Sequence, residues 1–134
     1  FENVFKTIKE VYNLKIISVF GAGGDRDKGK RRILGEIAGR LSEIVILTTD
    51  NPRSEDPIKI CEEIKSGVFA SGQDKVLIIL DRQKAIEEAI ALANPNFAVL
   101  LLGKGHENYQ IIKDKTFPFS DVKVALQAIK EKLS

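Results

Sequence analysis

The residues best suited to chemistry form a short turn, Asp50-Asn51-Pro52-Arg53, directly after an apolar run of the chain. A carboxylate, a carboxamide and a guanidinium are crowded around a proline that restricts the backbone. Arg53 can hold a carboxylate through two parallel hydrogen bonds, and Asp50 and Asn51 can accept hydrogen bonds from an ammonium group. These side chains therefore suit a small zwitterion. The simpler interpretation is a turn before a helix, because Asn-Pro dipeptides commonly mark turns.

Composition limits the classes of protein to which the chain can belong. It has 134 residues, a net charge of +2, 43% hydrophobic residues and 30% charged residues, which is typical of one globular domain. The small net charge does not indicate nucleic-acid binding, and no apolar run approaches the roughly 20 residues of a membrane span. The first residues do not resemble a signal peptide. Because the single cysteine, Cys61, cannot form an internal disulfide, we expect a reducing, cytoplasmic setting.

Helical and strand patterns alternate along the chain. Apolar periodicity predicts helices around residues 4–12, 33–41, 57–64, 85–93 and 122–133, and continuous apolar runs predict strands at 16–20, 44–47, 76–80 and 97–102. Continuous apolar runs are typical of strands buried on both faces, so we expect one α/β domain with a Rossmann-like, mostly parallel sheet and helices on both faces. Residues 109–113 predict a further strand, which can be antiparallel. The last helix carries an apolar stripe that we expect to face the core, formed by Val122, Ala125, Leu126, Ile129 and Leu133.

Polar turns follow the ends of these predicted strands. They are residues 21–30 after the first strand, Asp50 to Arg53 after the second and residues 103–107 after the fourth. The carboxyl ends of parallel strands share one edge of the sheet, which is where ligands bind in such folds. We therefore expect these turns to form one composite site. Asp81-Arg82, after the third strand, is predicted only to begin a helix.

The first turn comes close to a P-loop but departs from it. Residues 24–30 have two glycines separated by four residues and a following lysine, but Arg31 replaces the Ser or Thr that would hold magnesium. Arg26 likewise replaces the third glycine of a dinucleotide-binding loop. Lys28 and Lys30 can still lie near phosphate or ATP, because the start of a helix attracts anions. A P-loop kinase or NTPase built on Gly24 to Lys30 is thus one alternative function, and a small amino-acid-binding or regulatory module is another.

The third turn, residues 103–107, contains two glycines, a histidine and a glutamate. The glycines permit either a tight turn between strands or a loop wrapped around a ligand. Glu107 can pair with an ammonium group of that ligand. His106 is the only histidine, and no cysteine cluster accompanies it, so we expect no metal site.

Together these stretches resemble the C-terminal domain of the Mur ligases, in particular the branch that forms a tripeptide. The resemblance rests on GGDRDKGKR at 23–31, DNPRSEDP at 50–57 and GKGHENYQ at 103–110, and it extends over nearly the whole chain in the expected order. It implies that residues 1–134 form the amino-acid-binding domain of a three-domain ligase. The other two domains of such ligases hold the UDP-sugar and most of the ATP and magnesium site.

The resemblance also implies a reaction of cell-wall precursor synthesis. ATP phosphorylates the terminal carboxyl of UDP-MurNAc-L-Ala-D-Glu, and the amine of a diamino acid, usually meso-diaminopimelate or lysine, attacks the acyl phosphate. Arg53 favours meso-diaminopimelate, or a dicarboxylic analogue such as lanthionine, because lysine has no second carboxylate to pair with it. The 134 residues alone should not catalyse the reaction. We expect a monomer without nucleic-acid or membrane partners.

The same resemblance assigns roles to individual residues. It implies that Arg26 and Arg53 bind ligand carboxylates and that Asp50, Asn51 and Pro52 complete the recognition turn for the distal end of the amino acid. It adds Gly103 and Glu107 as further polar contacts. Residues 119–123 depart from the Asp-Asp-Arg-Glu pattern that is common in the family at this point, so no role is carried over to them.

Overall fold

The computed structural model describes residues 1–24, 29–103, 109–112 and 115–134, and its main feature is a four-stranded sheet between two layers of helices. In chain order the elements are α1 (Glu2–Val11), β1 (Lys15–Phe20), α2 (Gly29–Leu41), β2 (Ile44–Leu47), α3 (Pro57–Ala70), β3 (Val76–Ile78), α4 (Arg82–Leu92), β4 (Phe97–Leu101), β5 (Tyr109–Ile112), β6 (Lys115–Pro118) and α5 (Asp121–Leu133). The expected α/β architecture is confirmed.

The sheet has the strand order β3-β2-β1-β4, and every neighbouring pair is parallel. From β1 the chain moves outward to β2 and β3, and β4 then returns to the other side of β1. In the register of the sheet, Val19 of β1 pairs with Ile46 of β2 and with Leu101 of β4. The reversal of direction therefore falls between β1 and β4. Ligands bind at such a reversal, outside the carboxyl ends of the strands.

The two faces of β1 supply two separate cores. Ile16 and Phe20 pack with α1, α2 and α3 on one face, and Ile17 and Val19 pack with α4 and α5 on the other. Successive side chains of a strand point to opposite faces, so a strand buried on both sides must be apolar throughout. This is why the continuous apolar runs predicted the parallel sheet. The exception, Ser18, is buried and lies 2.9 Å from the Ser42 hydroxyl, with which it shares a hydrogen bond.

The predicted antiparallel strand is present as β5, but it pairs with β6 in a separate two-stranded sheet. Tyr109 lies opposite Pro118 in this hairpin. The sequence did not predict β6, because Lys115-Thr116-Phe117-Pro118 lacks the continuous apolar run of a buried strand. The hairpin therefore lies outside the main sheet rather than extending it.

Only part of the predicted apolar stripe of α5 faces the core, where Ala125 packs against the second core cluster. Leu126 is 61% exposed and Leu133 is 81% exposed, and Ile129 is also exposed. The buried residues of α5 are Asp121 and Ala128 instead. The expectation was wrong for the large apolar residues, because α5 packs through Ala125 and Ala128 and is held by charged groups, as described below.

Candidate functional site

The first two polar turns are bonded directly to each other. The Gly24 N–H donates a 2.7 Å hydrogen bond to the Asn51 carbonyl. A Cβ at Gly24 would lie only 1.7 Å from the Pro52 carbonyl oxygen, so no larger residue fits there. Arg53 adds two contacts, since its Nη1 donates to the carbonyls of Gly24 and Asn51, each at 3.2 Å. The end of β1 and the turn after β2 thus form one continuous rim.

The third turn reaches the same rim at Asp50. Gly103 has a φ of +108°, which only glycine adopts readily, and a Cβ on it would lie 3.2 Å from Asp50 Oδ2. From the β5–β6 hairpin, the buried Gln110 donates to the carbonyls of Thr49 at 3.2 Å and Asp50 at 2.9 Å. The described parts of the polar turns therefore converge, as the positions of the strands predict.

Arg53 has an unusual backbone and a guanidinium that is only partly bonded to the described residues. Its φ of +53° lies in the left-handed region, which costs a residue with a Cβ about 1 kcal/mol. The side chain is half-buried, and both of its hydrogen bonds to described residues use Nη1. The Nε and Nη2 groups make no hydrogen bond within the described part of the chain. This edge can receive a carboxylate through two parallel bonds.

Behind the rim, Arg31 holds the first turn against α3. It is 2% exposed, and its two terminal nitrogens donate to the Glu55 carboxylate at 3.1 and 2.8 Å. It also donates to Glu63 at 2.8 Å and to the Gly23 carbonyl at 3.1 Å. The hydrogen bonds with Glu55 raise the pKa of Arg31, despite the opposing effect of burial. In the sequence Arg31 is only a departure from the P-loop pattern, but in the structure it supports the site.

A second buried arginine, Arg82, lies between the second and third turns. It donates to the carbonyls of Thr49 at 3.0 Å and Leu102 at 3.2 Å, and it forms two 2.7 Å bonds with the Asp121 carboxylate. The sequence predicted only a helix start here. One signal was available: a cation in the first turn of a helix opposes the helix dipole and so calls for an anionic partner.

The other predicted site residues divide into two groups. Asn51 and Pro52 are buried, Asp50 is half-buried, and Lys30 is exposed in the first turn of α2. The remaining candidates, Arg26, Lys28, His106 and Glu107, lie outside the described residues. Their assigned roles therefore stay predictions.

Several other functions find no support in the described residues. No group of three His, Cys, Asp or Glu side chains there could hold a metal ion. No described helix is long and apolar enough to cross a membrane. Cys61 is buried and donates to the Thr48 carbonyl at 3.6 Å, and burial raises the pKa of its thiol to about 12. Cys61 is therefore a core residue rather than a nucleophile.

Comparison with known proteins agrees with this geometry. A family model described as "Mur ligase, glutamate ligase domain" matches residues 1–105. The chain belongs to the Mur ligase family. The P-loop enzyme is not favoured as an alternative, since Arg31 is committed to Glu55 and Glu63 and the Gly24 N–H is already bonded.

Individual Mur ligases match nearly all of the chain. Two relatives carry the name UDP-N-acetylmuramoyl-L-alanyl-D-glutamate--2,6-diaminopimelate ligase. The one from Aquifex aeolicus (strain VF5) is 49% identical over 96% of the chain. The one from Syntrophomonas wolfei subsp. wolfei is 46% identical over 98% of the chain. A solved structure of a ligase of the same name superposes with a TM-score of 0.90 at 40% identity over 99% of the chain. The chain spans 26% and 27% of the two relatives and 27% of the solved chain, about a quarter of each.

Proposed function

We propose that residues 1–134 form the amino-acid-binding domain of an ATP-dependent Mur ligase that adds meso-diaminopimelate, or a close dicarboxylic diamino acid, to UDP-MurNAc-L-Ala-D-Glu. The observation that supports this proposal is the half-buried Arg53 at the carboxyl edge of the sheet, whose Nε and Nη2 groups make no hydrogen bond to another described residue. The relatives whose names contain 2,6-diaminopimelate support the same substrate.

The charges of the rim match those of a diamino dicarboxylic acid. Arg53 would take the carboxylate at the distal end of the ligand, and Asp50 would accept hydrogen bonds from the neighbouring ammonium group. Lysine offers an ammonium group but no distal carboxylate, so it would leave the Nε and Nη2 groups of Arg53 without a carboxylate to bond. A site of this kind discriminates by the cost of an unsatisfied polar group. Arg26, Asn51 and Glu107 complete the proposed set, with Pro52 and Gly103 shaping the backbone.

The domain contributes positioning to the reaction. It would hold the amine of the diamino acid close to an acyl phosphate, and closure of the ligase would bring the two reactants together. ATP and magnesium would be held mainly by parts of the ligase other than these 134 residues, with Lys28, Lys30 and His106 near the phosphates. We propose that the ligase is a cytoplasmic monomer and that this domain alone has no turnover.

Replacement of Arg53 by alanine in the full-length ligase tests the proposal. We expect the KM for the diamino acid to rise by roughly tenfold or more, because the carboxylate loses its charge-assisted hydrogen bonds, while the KM for ATP stays unchanged. The matched control is Arg40→Ala, since Arg40 is 57% exposed and pairs with Glu2 on α1. A rise in the KM for ATP, with the KM for the diamino acid unchanged, would contradict the assignment of this turn.

A further inference from the structure

Arg82 links two strands that the sheet itself does not connect. Strands β2 and β4 lie on opposite sides of β1, so no ladder of hydrogen bonds joins them. Arg82 crosses this gap with Nη1 on the Thr49 carbonyl at 3.0 Å and Nη2 on the Leu102 carbonyl at 3.2 Å. Thr49 directly precedes Asp50, and Leu102 directly precedes Gly103. One rigid guanidinium therefore sets the spacing between two turns of the site.

Asp121 makes this buried link possible. The side chains of Arg82 and Asp121 are 1% and 4% exposed, and an unpaired charge at such a depth would be strongly destabilising. Asp121 accepts bonds from Nε and Nη2 of Arg82, both at 2.7 Å, and thereby neutralises the guanidinium. An ion pair alone would need only these two bonds. The two further bonds of Arg82 go to the backbone carbonyls directly before Asp50 and Gly103. A purely structural ion pair would not require these two bonds.

The C-terminal end of α5 is held by a second charged residue, Lys132, which lies at the opposite end of the helix from Asp121. Lys132 donates from its Nζ to the carbonyls of Ile90 and Ala93 at the end of α4. The helix is thus attached to α4 by Asp121 at its first residue and by Lys132 in its last turn. Arg82 lies at the first residue of α4, beside the site, whereas the Lys132 contacts lie at the opposite end of that helix.

We propose that Arg82 is a positioning residue for binding of the diamino acid. Arg82 sets the distance between the Asp50 and Gly103 turns, and Asp121 keeps Arg82 in place. The inference rests on the proposed function of these turns. Lysine cannot replace arginine in this role, because a single ammonium group cannot span both carbonyls while it pairs with the carboxylate.

The test is Arg82→Lys in the full-length ligase, since lysine retains the charge opposite Asp121. We expect kcat/KM for the diamino acid to fall by roughly tenfold or more, because small displacements of positioning groups are costly. The KM for ATP should change by less than about twofold. The matched control is Lys132→Met, which should lower the melting temperature but leave kcat/KM for the diamino acid within about twofold.

Two outcomes would overturn the inference. One is an Arg82→Lys enzyme whose kcat/KM for the diamino acid stays within about twofold of the parent value. The other is a Lys132→Met enzyme that loses as much kcat/KM as Arg82→Lys at a matched loss of stability.

If Arg82→Lys does not fold, Asp121→Asn decides: a fall in kcat/KM for the diamino acid supports the inference, and an unchanged value refutes it. Arg53→Ala is measured in parallel. If Arg53→Ala is impaired and Arg82→Lys is not, the inference fails alone; if neither is impaired, the proposed function fails.

Discussion

Arg53 combines the guanidinium proposed to bind the ligand with a backbone conformation that most residues avoid. Residues held in the left-handed region tend to cluster at functional sites, where the surrounding structure maintains them. Here Nη1 of Arg53 holds two carbonyls of the rim, which fixes the direction of its remaining edge. The backbone strain at Arg53 and the direction of its guanidinium therefore both result from the conformation of this turn.

Replacement of Arg53 by asparagine and by alanine separates the strain from the chemistry. Both variants lose the guanidinium, but asparagine tolerates a φ near +53° and alanine does not. We expect the free energy of unfolding of Arg53→Asn to exceed that of Arg53→Ala by about 0.5 to 1 kcal/mol in denaturant titrations. Both variants should bind the diamino acid poorly. Equal stabilities would show that the backbone relaxes once the arginine is gone.

The sequence could identify the residues of the rim but not their supports. Asp50 and Arg53 lie in one four-residue turn after a strand, so their chemistry is visible in a short window of the sequence. Arg31 and Glu55 are 24 positions apart, and Arg82 and Asp121 are 39 positions apart. Such pairs are determined by the packing of helices, which periodicity alone does not specify. Arg31, Arg82 and Asp121 therefore carried no signal beyond their charge.

At the scale of elements, α2 and α3 approach closely through two glycines. A Cβ at Gly35 would lie 2.0 Å from the Ile64 carbonyl oxygen, and one at Gly67 would lie 2.0 Å from the Arg32 carbonyl oxygen. The close contact fixes α3, which begins at Pro57 after the cap formed by Asp56. Since the turn from Asp50 to Arg53 lies only three residues before this cap, the crossing of the two helices also helps to fix the turn.

Alanine substitutions in α2 test whether this approach is required. Alanine is favoured over glycine inside a helix by up to about 1 kcal/mol, but Gly35→Ala must push α3 away. We expect Gly35→Ala to lower the free energy of unfolding by about 2 kcal/mol in chemical denaturation. Gly39→Ala is the matched control, because its nearest neighbour is the Ser71 hydroxyl at 2.3 Å, a side-chain group that can rotate away. A Gly35→Ala variant as stable as Gly39→Ala would contradict the close approach.

The positions of most elements were predictable, but the surface that a helix buries was not. Strands β1 and β2 are buried, and their continuous apolar runs gave their positions to within a residue. Helix α5 has a regular apolar stripe, yet Leu126 and Leu133 are exposed. Periodicity indicates a helix, but it does not determine which surface the helix contacts.

At the scale of the whole molecule, the order of the strands determines where chemistry can occur. Because β1 lies between β2 and β4, the turns that follow all three strands meet at one edge. A groove of about 450 Å³ exists elsewhere, between α4, β4 and α5, but it is lined mainly by apolar residues such as Ile90, Val99 and Ile129. None of the candidate site residues lines it. A doubly zwitterionic ligand fits the polar edge rather than this groove.

The 134-residue chain should not bind nucleotide tightly on its own. A P-loop needs free backbone N–H groups and a Ser or Thr for magnesium, but the Gly24 N–H is bonded to Asn51 and Arg31 is paired with Glu55. We therefore expect calorimetry to detect no magnesium-ATP binding with a Kd below about 1 mM, which corresponds to a binding free energy of about 4 kcal/mol. Arg31→Ser, which restores the P-loop pattern, should not create binding, because Gly24 stays bonded to Asn51. Micromolar binding by the parent chain would instead favour a free-standing nucleotide-binding protein and would remove the basis for a purely positioning domain.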